Sequence, residues 1–438
     1  MLTLLAFVVT IVVIVAIHEW GHYLAMRAFS VRVLTFSIGF GPRLFGWRNA
    51  AGTDFVVSAV PLGGYVKPLD RRDAEPPLPP SDDEFSGKPA WQRVIVYAAG
   101  PAANLILALL LYWLVLLPGE TVRAPVLGEL SVDSPAAQAG LRQGDEIVAI
   151  DGVATPGWRA LGSVLMGYAG EDRSVQVSVS GADGATRQHR LPLSRWAPDP
   201  QASPFSTLGL QAQVPPAVVG EVVADSAAAR AGLQGGDRII AMAAEPVADW
   251  AAWVAQVRAS PGQSMALLIE RDGRRLTLTL TPESIQQGDD TVGRAGVTMP
   301  GMRQLDHGVI GALLEAGRRV LAQTGMIVGS IGKLFSGELS VKTLGGPLTI
   351  AQVAGDTAAV GVTTFMLFLA FFSISLGIIN LLPIPMLDGG WIVFGLLEML
   401  SGRPLPERFM LAAQQVGMTL VVGLMLLAVF NDVMRHLV

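Results

Sequence analysis

The residues most suited to chemistry are His18, Glu19 and His22, which stand in the order His-Glu-Trp-Gly-His inside a long apolar stretch. Residues i and i+4 lie on one face of a helix, so the two imidazoles can hold one metal ion. Glu19 lies about 100° further round the helix and can act as a general base for water activated by the metal. The alternative is a pair of core histidines beside a buried glutamate, but an isolated ionisable group within a membrane costs on the order of 3 kcal/mol. The pattern therefore indicates a metal-dependent hydrolytic site.

Two histidines do not complete a catalytic zinc site, which usually has three protein ligands and an open position. The 438-residue chain has no cysteine, and its remaining histidines lie outside the apolar stretches: His189, His307 and His436. A carboxylate must therefore be the third ligand, and the candidates are Asp388 and Glu398. Asp388 is favoured because two prolines before it break a helix and two glycines after it allow close backbone approach, whereas Glu398 lies near a helix end. Asp432 is expected to lie beyond the last span.

Asn380 is a polar residue within an apolar run and precedes Asp388 in the sequence Asn-Leu-Leu-Pro-Ile-Pro-Met-Leu-Asp. It can hydrogen-bond to the backbone of a substrate or to the tetrahedral intermediate of peptide hydrolysis. The alternative is a structural hydrogen bond between membrane helices. Asn380 is therefore a candidate substrate-binding residue.

Four apolar stretches position these residues, because each is long enough to span a bilayer, which needs about 20 residues. They cover approximately residues 2–24, 94–117, 363–387 and 409–430. Hydrophobic residues make up 51% of the chain and charged residues only 15%, a composition that excludes a disordered chain and disfavours a purely soluble enzyme. The first stretch lacks a basic leader and a small-residue cleavage site, so we interpret it as a span and not as a cleaved signal peptide.

The distribution of basic residues predicts the orientation of these spans. The loop 25–93 carries nine Lys and Arg residues, and the loop 401–408 carries Arg403 and Arg408. Such loops face the cytoplasm. Four spans then place both termini and the region 119–360 on the outer side of the membrane, with the active site nearer the cytoplasmic side.

Two apolar β-patterns follow the first span, at 31–40 and 54–66, and the first is expected to end in a turn at 39–42. We expect 31–67 to form a membrane-associated β-region that adds an unwound substrate as an extra strand. The candidate substrate-binding residues in this region are Gly39, Phe40, Gly41, Gly63, Gly64 and Tyr65. Residues 68–90 are rich in proline and acidic residues, which predicts a mobile linker.

A repeat with a constant offset of 92 residues lies in the outer region: Ser134–Ile147 matches Ser226–Ile239. The repeated pattern A-x-x-A-G-L-x-x-G-D-x-I is similar to PDZ domains, which bind peptide or protein C-termini along a sheet edge. The second copy has Ala243-Ala244 where the first has Asp151-Gly152, so its turn is expected to differ. The alternative is that either copy is only a spacer.

Residues 305–355 are amphipathic and less apolar than a span. Apolar residues recur there at helical spacing: Val309, Leu313, Leu314, Val320 and Leu321. We expect this region to lie on the outer membrane surface and to join the repeat to the third span. A soluble packing helix is the alternative.

Together these motifs resemble the site-2 protease family of intramembrane zinc metalloproteases, over nearly the whole chain. The pairing of HExxH with N-x-x-P-x-P-x-L-D-G is the specific part, and Gly39-Phe-Gly and Pro61-Leu-Gly-Gly-Tyr-Val accompany it. The resemblance implies that His18, His22 and Asp388 bind one zinc ion and that Glu19 is the general acid and base. It also implies a single-pass membrane protein as substrate, typically an anti-sigma factor already shortened outside the membrane, whose cleavage frees a cytoplasmic regulator.

The expected fold is a multi-domain membrane protein with four transmembrane helices, a membrane-associated β-region and two tandem PDZ-like α+β domains outside the membrane. The expected divisions are 1–118 for the first two spans, 119–215 and 216–300 for the PDZ-like domains, 301–360 for the connecting region and 361–438 for the last two spans. The partners are substrate proteins, C-termini and lipid. The net charge of −5 shows no nucleic-acid footprint.

Two other functions compete with proteolysis. A non-enzymatic receptor or scaffold would use the PDZ-like domains for binding and the metal for structure, but a structural site has no need of Glu19 beside its ligands. A metal transporter would need polar groups on several spans, and the sequence has too few. Without cysteine, a site of nitrogen and oxygen ligands is also compatible with cobalt or iron.

Overall fold

The computed structural model describes residues 1–71, 81–168, 170–181, 183–194, 196, 205–287, 290–337 and 345–437. The chain forms two compact units. The first, the membrane unit, comprises Met1–Pro118 and His307–Val438, and the second, the inserted unit, comprises Gly119–Asp306.

The helices of the described residues are α1 (Leu2–Ala28), α2 (Ala90–Leu116), α3 (Pro135–Gln138), α4 (Trp158–Met166), α5 (Ala227–Arg230), α6 (Trp250–Arg258), α7 (Gly308–Ser336), α8 (Pro347–Val360), α9 (Val362–Asn380), α10 (Asp388–Ser401) and α11 (Glu407–Leu437). The strands are β1 (Val33–Arg48), β2 (Asp54–Pro68), β3 (Glu120–Arg123), β4 (Glu146–Ile150), β5 (Val153–Ala154), β6 (Ser174–Ser180), β7 (Thr186–Pro192), β8 (Arg238–Met242), β9 (Glu245–Pro246), β10 (Met265–Arg271), β11 (Arg274–Leu280), β12 (Glu283–Gln287), β13 (Asp290–Arg294) and β14 (Met302–Leu305).

Four helices of the described residues are long and apolar enough to cross a membrane: Leu2–Ala28, Ala90–Leu116, Val362–Asn380 and Arg408–Met434. Their number agrees with the four spans predicted, and the structure corrects the prediction at two places. The third helix ends at Asn380 and does not continue to 387, because Pro383 and Pro385 cannot extend a helix, and α10 begins at Asp388. Asp432 lies within the fourth helix and not beyond it.

The β-region forms one sheet from two long, bent strands, β1 and β2. Residues 35–38 of β1 have partners on both sides, at 64–67 and at 54–57, while 43–48 pair with 54–58. The predicted turn at 39–42 agrees with this register. Residues 35–38 run parallel to 54–57 and residues 45–48 run antiparallel to them, so the chain reverses direction between 38 and 45, where Gly39 and Gly41 have φ of +91° and +86°. The left-handed backbone at these glycines allows the reversal within β1, which extends to Arg48.

An aromatic cluster holds this sheet against α1. Tyr23 of α1 packs with Phe36 and Phe55 of the sheet and with Phe85, and all four are buried. Of the predicted linker 68–90, residues 72–80 lie outside the described residues. The linker prediction is wrong at Phe85, whose backbone N–H donates to the carbonyl of Leu69.

Helix α7 packs through small residues together with Val320, one of the five apolar positions that its sequence suggested. Ala312 and Ala316 are fully buried in a cluster with residues of α2 and α9. The other four suggested positions are exposed: Val309, Leu313, Leu314 and Leu321. Small side chains allow helices to approach closely, and van der Waals packing of this kind drives association of helices in membranes.

The inserted unit contains two four-stranded sheets with the same order, β5-β4-β6-β7 and β9-β8-β10-β11. The repeated motifs occupy equivalent places, since Ser134 and Ser226 cap α3 and α5 by accepting from the backbone N–H of Ala137 and Ala229. Each sheet covers its own apolar core. Strands β3 and β14, at the two ends of the unit, pair antiparallel.

The two copies make the same turn despite their different residues. Asp151 and Gly152 have φ of +47° and +79°, and Ala243 and Ala244 have φ of +51° and +68°. The expected difference in the turn is therefore wrong for the backbone. Positive φ is disfavoured for alanine, so the second copy holds this turn at a conformational cost.

Candidate metal centre

The structure brings three predicted ligands together from opposite ends of the chain. The Oδ2 atom of Asp388 lies 3.1 Å from Nε2 of His18 and 3.5 Å from Nε2 of His22. The two Nε2 atoms are 3.2 Å apart. Among the described residues, these three side chains are the one group of His, Asp and Glu that could hold a metal ion.

The triangle of ligand atoms fits a zinc ion. Zinc bonds of about 2.0–2.1 Å in a tetrahedral arrangement separate neighbouring ligand atoms by about 3.4 Å. The observed separations of 3.1, 3.2 and 3.5 Å match that value. Three protein ligands leave the fourth position open, as in catalytic zinc sites and unlike closed structural ones.

Helices α1 and α2 approach closely at the site because each has a glycine that faces the other helix. A Cβ on Gly21 would lie 2.3 Å from the carbonyl oxygen of Ala99. A Cβ on Gly100 would lie 2.3 Å from Nε2 of His22 and 2.9 Å from Cε1 of His18. The surface of α2 at Gly100 is therefore the floor against which both imidazoles pack.

Each imidazole has a second partner on α2. The Nδ1 atom of His22 lies 2.8 Å from the carbonyl oxygen of Val96, and Nδ1 of His18 lies 3.3 Å from the side-chain amide of Asn104. Sequence analysis missed Val96, Gly100 and Asn104. The available signal was Asn104 itself, a polar residue in the middle of a predicted span.

Asp388 is placed by the start of α10 and by the irregular chain before it. A Cβ on Gly389 would lie 2.2 Å from the carbonyl oxygen of Leu382, and one on Gly390 would lie 2.5 Å from that of Ile384. Both glycines are therefore needed for the chain to fold back on itself. The expected role of these two residues as points of close approach agrees with this geometry.

The rest of α10 is attached to α2 and accounts for Glu398. The Oε1 atom of Glu398 accepts a hydrogen bond of 2.6 Å from Arg93. Tyr97 stacks on Trp391 with ring centroids 5.6 Å apart. These contacts hold the helix that carries Asp388, and they leave Glu398 without a place among the ligands of this group.

Glu19 lies against the β-region. A Cβ on Gly64 would lie 3.1 Å from Cγ of Glu19, so glycine lets β2 pass directly beside the carboxylate-bearing side chain. Asn380, at the end of α9, places its amide nitrogen 3.5 Å from Nε2 of His18. Both residues therefore stand at the rim of the ligand triangle.

The remaining candidate residues of the β-region form a neighbouring group rather than part of the triangle. Phe40 stacks on Tyr65 with an interplanar angle of 11°, and Gly63 leaves the space that the Phe40 ring fills. Both rings are about half exposed. Gly39 and Gly41 bend the strand on either side of Phe40.

The other histidines do not join the site. His189, in the inserted unit, makes a hydrogen bond to the carbonyl oxygen of Ala139. His307 is the residue before α7. The side chain of His436 lies outside the described residues.

The chain matches the model of Peptidase family M50 over residues 6–424, and it belongs to that family. It is therefore a membrane-embedded metalloprotease, and the interpretation as a non-enzymatic scaffold is set aside.

Individual relatives cover nearly the same length. The regulator of sigma-E protease RseP of Salmonella typhimurium is 41% identical over 99% of this chain and 98% of its own. The protein of the same name in Escherichia coli K12 is 40% identical with the same coverage. A protein of Vibrio cholerae named "Putative zinc metalloprotease" is 36% identical over 98% of both chains.

Proposed function

We propose that His18, His22 and Asp388 hold one zinc ion and that Glu19 is the general base of an intramembrane peptide hydrolysis. The observation that carries this proposal is the triangle of ligand atoms 3.1–3.5 Å apart, with Glu19 on the next position of the same helix. When bound, zinc supplies a Lewis acid that polarises a carbonyl and makes water a better nucleophile. A metal that is only structural would not explain why a glutamate stands beside an open triangle.

The protein's own groups then have separate tasks. Glu19 accepts a proton from the attacking water and returns it to the nitrogen of the leaving peptide. Asn380 donates from its amide to the backbone of the bound substrate, which orients the scissile bond. The irregular chain 381–387 opens space beside the ligands, as non-helical backbone at membrane depth does where it lines a cavity.

The test of the catalytic role is Glu19→Gln in the intact protein, reconstituted with a single-span substrate. We expect zinc content to stay at one per chain and cleavage to fall by about 10²–10⁴-fold, the usual contribution of a general base. The control is Glu171→Gln, at an exposed position of the inserted unit. Unchanged cleavage by the Glu19 variant would refute the assignment.

We further propose that the substrate unwinds and pairs with the outer strand segment 64–67. This segment has its partners in 35–38 on one side, and its backbone at Val66 lies close to the Glu19 carboxylate. A strand added there would pass the catalytic base, and backbone pairing would tolerate many side-chain sequences. Phe40 and Tyr65 would flank the entering chain.

The absence of cysteine from the chain allows a direct test of this pairing. Tyr65→Cys, in the Glu19→Gln background, is oxidised with substrates that carry single cysteines along the cleaved segment. We expect disulfides at every second substrate position, the period of a strand. A period of three to four would indicate a helical substrate. Trp47→Cys, exposed on the other side of the sheet, is the control and should give no such pattern.

The two sheets of the inserted unit are proposed to be tandem PDZ-like domains, at 119–215 and 216–300, that bind C-termini and exclude substrates with bulky outer domains. Their common strand order and shared capping motif support this proposal. Because Arg123 pairs with Met302, residues 124–301 can be replaced by a two-residue Asn-Gly turn that keeps β3 and β14. We expect this deletion to permit cleavage of untrimmed substrate. Continued exclusion would contradict the filter.

The relatives named as regulators of sigma-E protease suggest the pathway. We propose that this chain cuts an anti-sigma factor in the bacterial inner membrane, after a first periplasmic cut, and so frees a cytoplasmic regulator. Both termini and the inserted unit would be periplasmic, and the connecting region 301–360 would rest its exposed apolar side chains on the outer leaflet. Single cysteines at Ser86 and Ser163, probed with an impermeant thiol reagent in intact spheroplasts, test this orientation: only the Ser163 variant should react.

A further inference from the structure

A single face of α2 contacts both histidine ligands. Val96, Gly100 and Asn104 are spaced by four residues, so they form one stripe along the helix. All three are buried, and Asn104 has no exposed surface. Gly100 lies under both rings, and the residues on either side of it each face one ring at its Nδ1 atom.

The contact at Val96 determines the tautomer of His22. A carbonyl oxygen can only accept, so Nδ1 of His22, at 2.8 Å, must carry the proton. Its Nε2 then has a free lone pair directed at the ligand triangle. Histidines that bind metals commonly donate their other N–H to an oxygen in this way, which orients the ring and raises its basicity.

The same requirement applies to His18. Its Nε2 lies 3.1 Å from Asp388, so a metal bound there requires the proton on Nδ1 and an acceptor opposite it. The atom placed opposite is the amide nitrogen of Asn104, at 3.3 Å, while Oδ1 of Asn104 is buried without a hydrogen-bond partner. The two ends of an amide have the same shape, so exchanging them moves no other atom.

We infer that Asn104 presents its Oδ1 to the Nδ1–H of His18 and is the positioning residue for this ligand. Asn104 then does for His18 what the carbonyl of Val96 does for His22. The backbone of α2 at Asn104 is tied to α9, because the Ser373 hydroxyl donates to the Asn104 backbone oxygen at 2.8 Å. This inference rests on the proposed zinc site and adds the residue that orients its first ligand.

The test measures zinc affinity by chelator competition in the full-length protein, in the Glu19→Gln background, so that the readout does not depend on turnover. Asn104→Leu removes the acceptor and should weaken zinc binding by about 10–100-fold, the usual effect of losing such a partner. Asn104→Asp keeps an oxygen toward Nδ1 and should stay within about threefold of the parent, since carboxylates serve the same role. Thr10→Val, which removes another buried polar group of the membrane unit, is the control and should leave affinity unchanged.

The outcomes separate the inference from the site beneath it. If Asn104→Asp loses zinc as strongly as Asn104→Leu, the amide acts as a donor and the inference is overturned, even where the leucine variant misfolds. Unchanged affinity in Asn104→Leu also overturns it. If His18→Ala and Asp388→Ala retain zinc, the proposed site itself fails, whatever Asn104 does.

Discussion

Gly100 is the position where the smallest change should abolish the site while leaving the fold intact. The Cβ of Gly100→Ala would lie 2.3 Å from Nε2 of His22 and 2.6 Å from its Cε1. An ordinary contact needs about 3.5 Å, so the ring must retreat by roughly 1 Å. A zinc site tolerates about 0.2 Å in its bond lengths. The ring of His22 therefore cannot both avoid the methyl group and remain a ligand.

The same substitution is favourable for the helix taken alone. Alanine exceeds glycine in helix propensity by about 0.8–1.0 kcal/mol, so loss of secondary structure does not explain a loss of function here. We expect zinc content to fall well below one per chain and cleavage to fall by at least about 10²-fold, the cost of a misplacement of this size.

The assay compares zinc content, cleavage of a single-span substrate and thermal unfolding for the wild type, Gly100→Ala and Gly329→Ala. Gly329 lies on α7, and nothing lies within 4 Å of the place that an added methyl group would take, so its variant should match the wild type in all three. Stoichiometric zinc together with normal cleavage in Gly100→Ala would refute the close packing of α2 against the two imidazoles.

Three further predictions concern stability and its pH dependence. Ala244→Gly removes the conformational cost of an alanine at positive φ and should stabilise the inserted unit by about 1 kcal/mol, measured as a higher midpoint in chemical unfolding. A lower midpoint would contradict the turn geometry. The carboxylate of Asp432 accepts hydrogen bonds from the backbone N–H groups of Gly346 and Leu348 at the start of α8. Asp432→Ala removes this cap and should destabilise the membrane unit by about 3 kcal/mol in detergent unfolding. A change under about 1 kcal/mol would show that the cap is dispensable. Hydrogen bonds from Arg230 and Arg294 lower the pKa of Glu283, so its contribution to stability is present above its ordinary pKa and is lost as the pH falls through the lowered value. Glu283→Gln should therefore flatten the acid limb of unfolding of the inserted unit, and an unaltered limb would exclude that contribution.

Local spacing was enough to predict part of the site. The His18–His22 pair depends only on the 3.6-residue period of one helix, which holds wherever that helix packs. The choice of Asp388 followed from the shortage of other ligands and from the prolines and glycines around it. The 92-residue repeat likewise predicted two similar modules, because equal sequence patterns produce equal local structure.

Packing between distant segments decided what the sequence left open. Helix α7 is apolar on more than one face, so periodicity could not show that Ala312 and Ala316 form the contact. In a membrane, lipid accepts the larger apolar side chains as readily as protein does, and the small residues decide the approach. The third helix could be predicted as apolar, and Pro383 and Pro385 show that it cannot run to 387. Its exact end at Asn380 depends on how the chain 381–387 folds back.

The sequence by itself determined which side chains could hold a metal and which one could move a proton, because those properties belong to residue types and to spacing along one helix. Only the tertiary structure decided that a stripe of α2 lies beneath the two imidazoles and that β2 passes beside Glu19. Such contacts join residues far apart in the chain, and they exist only once glycines at the crossing points let the backbones meet.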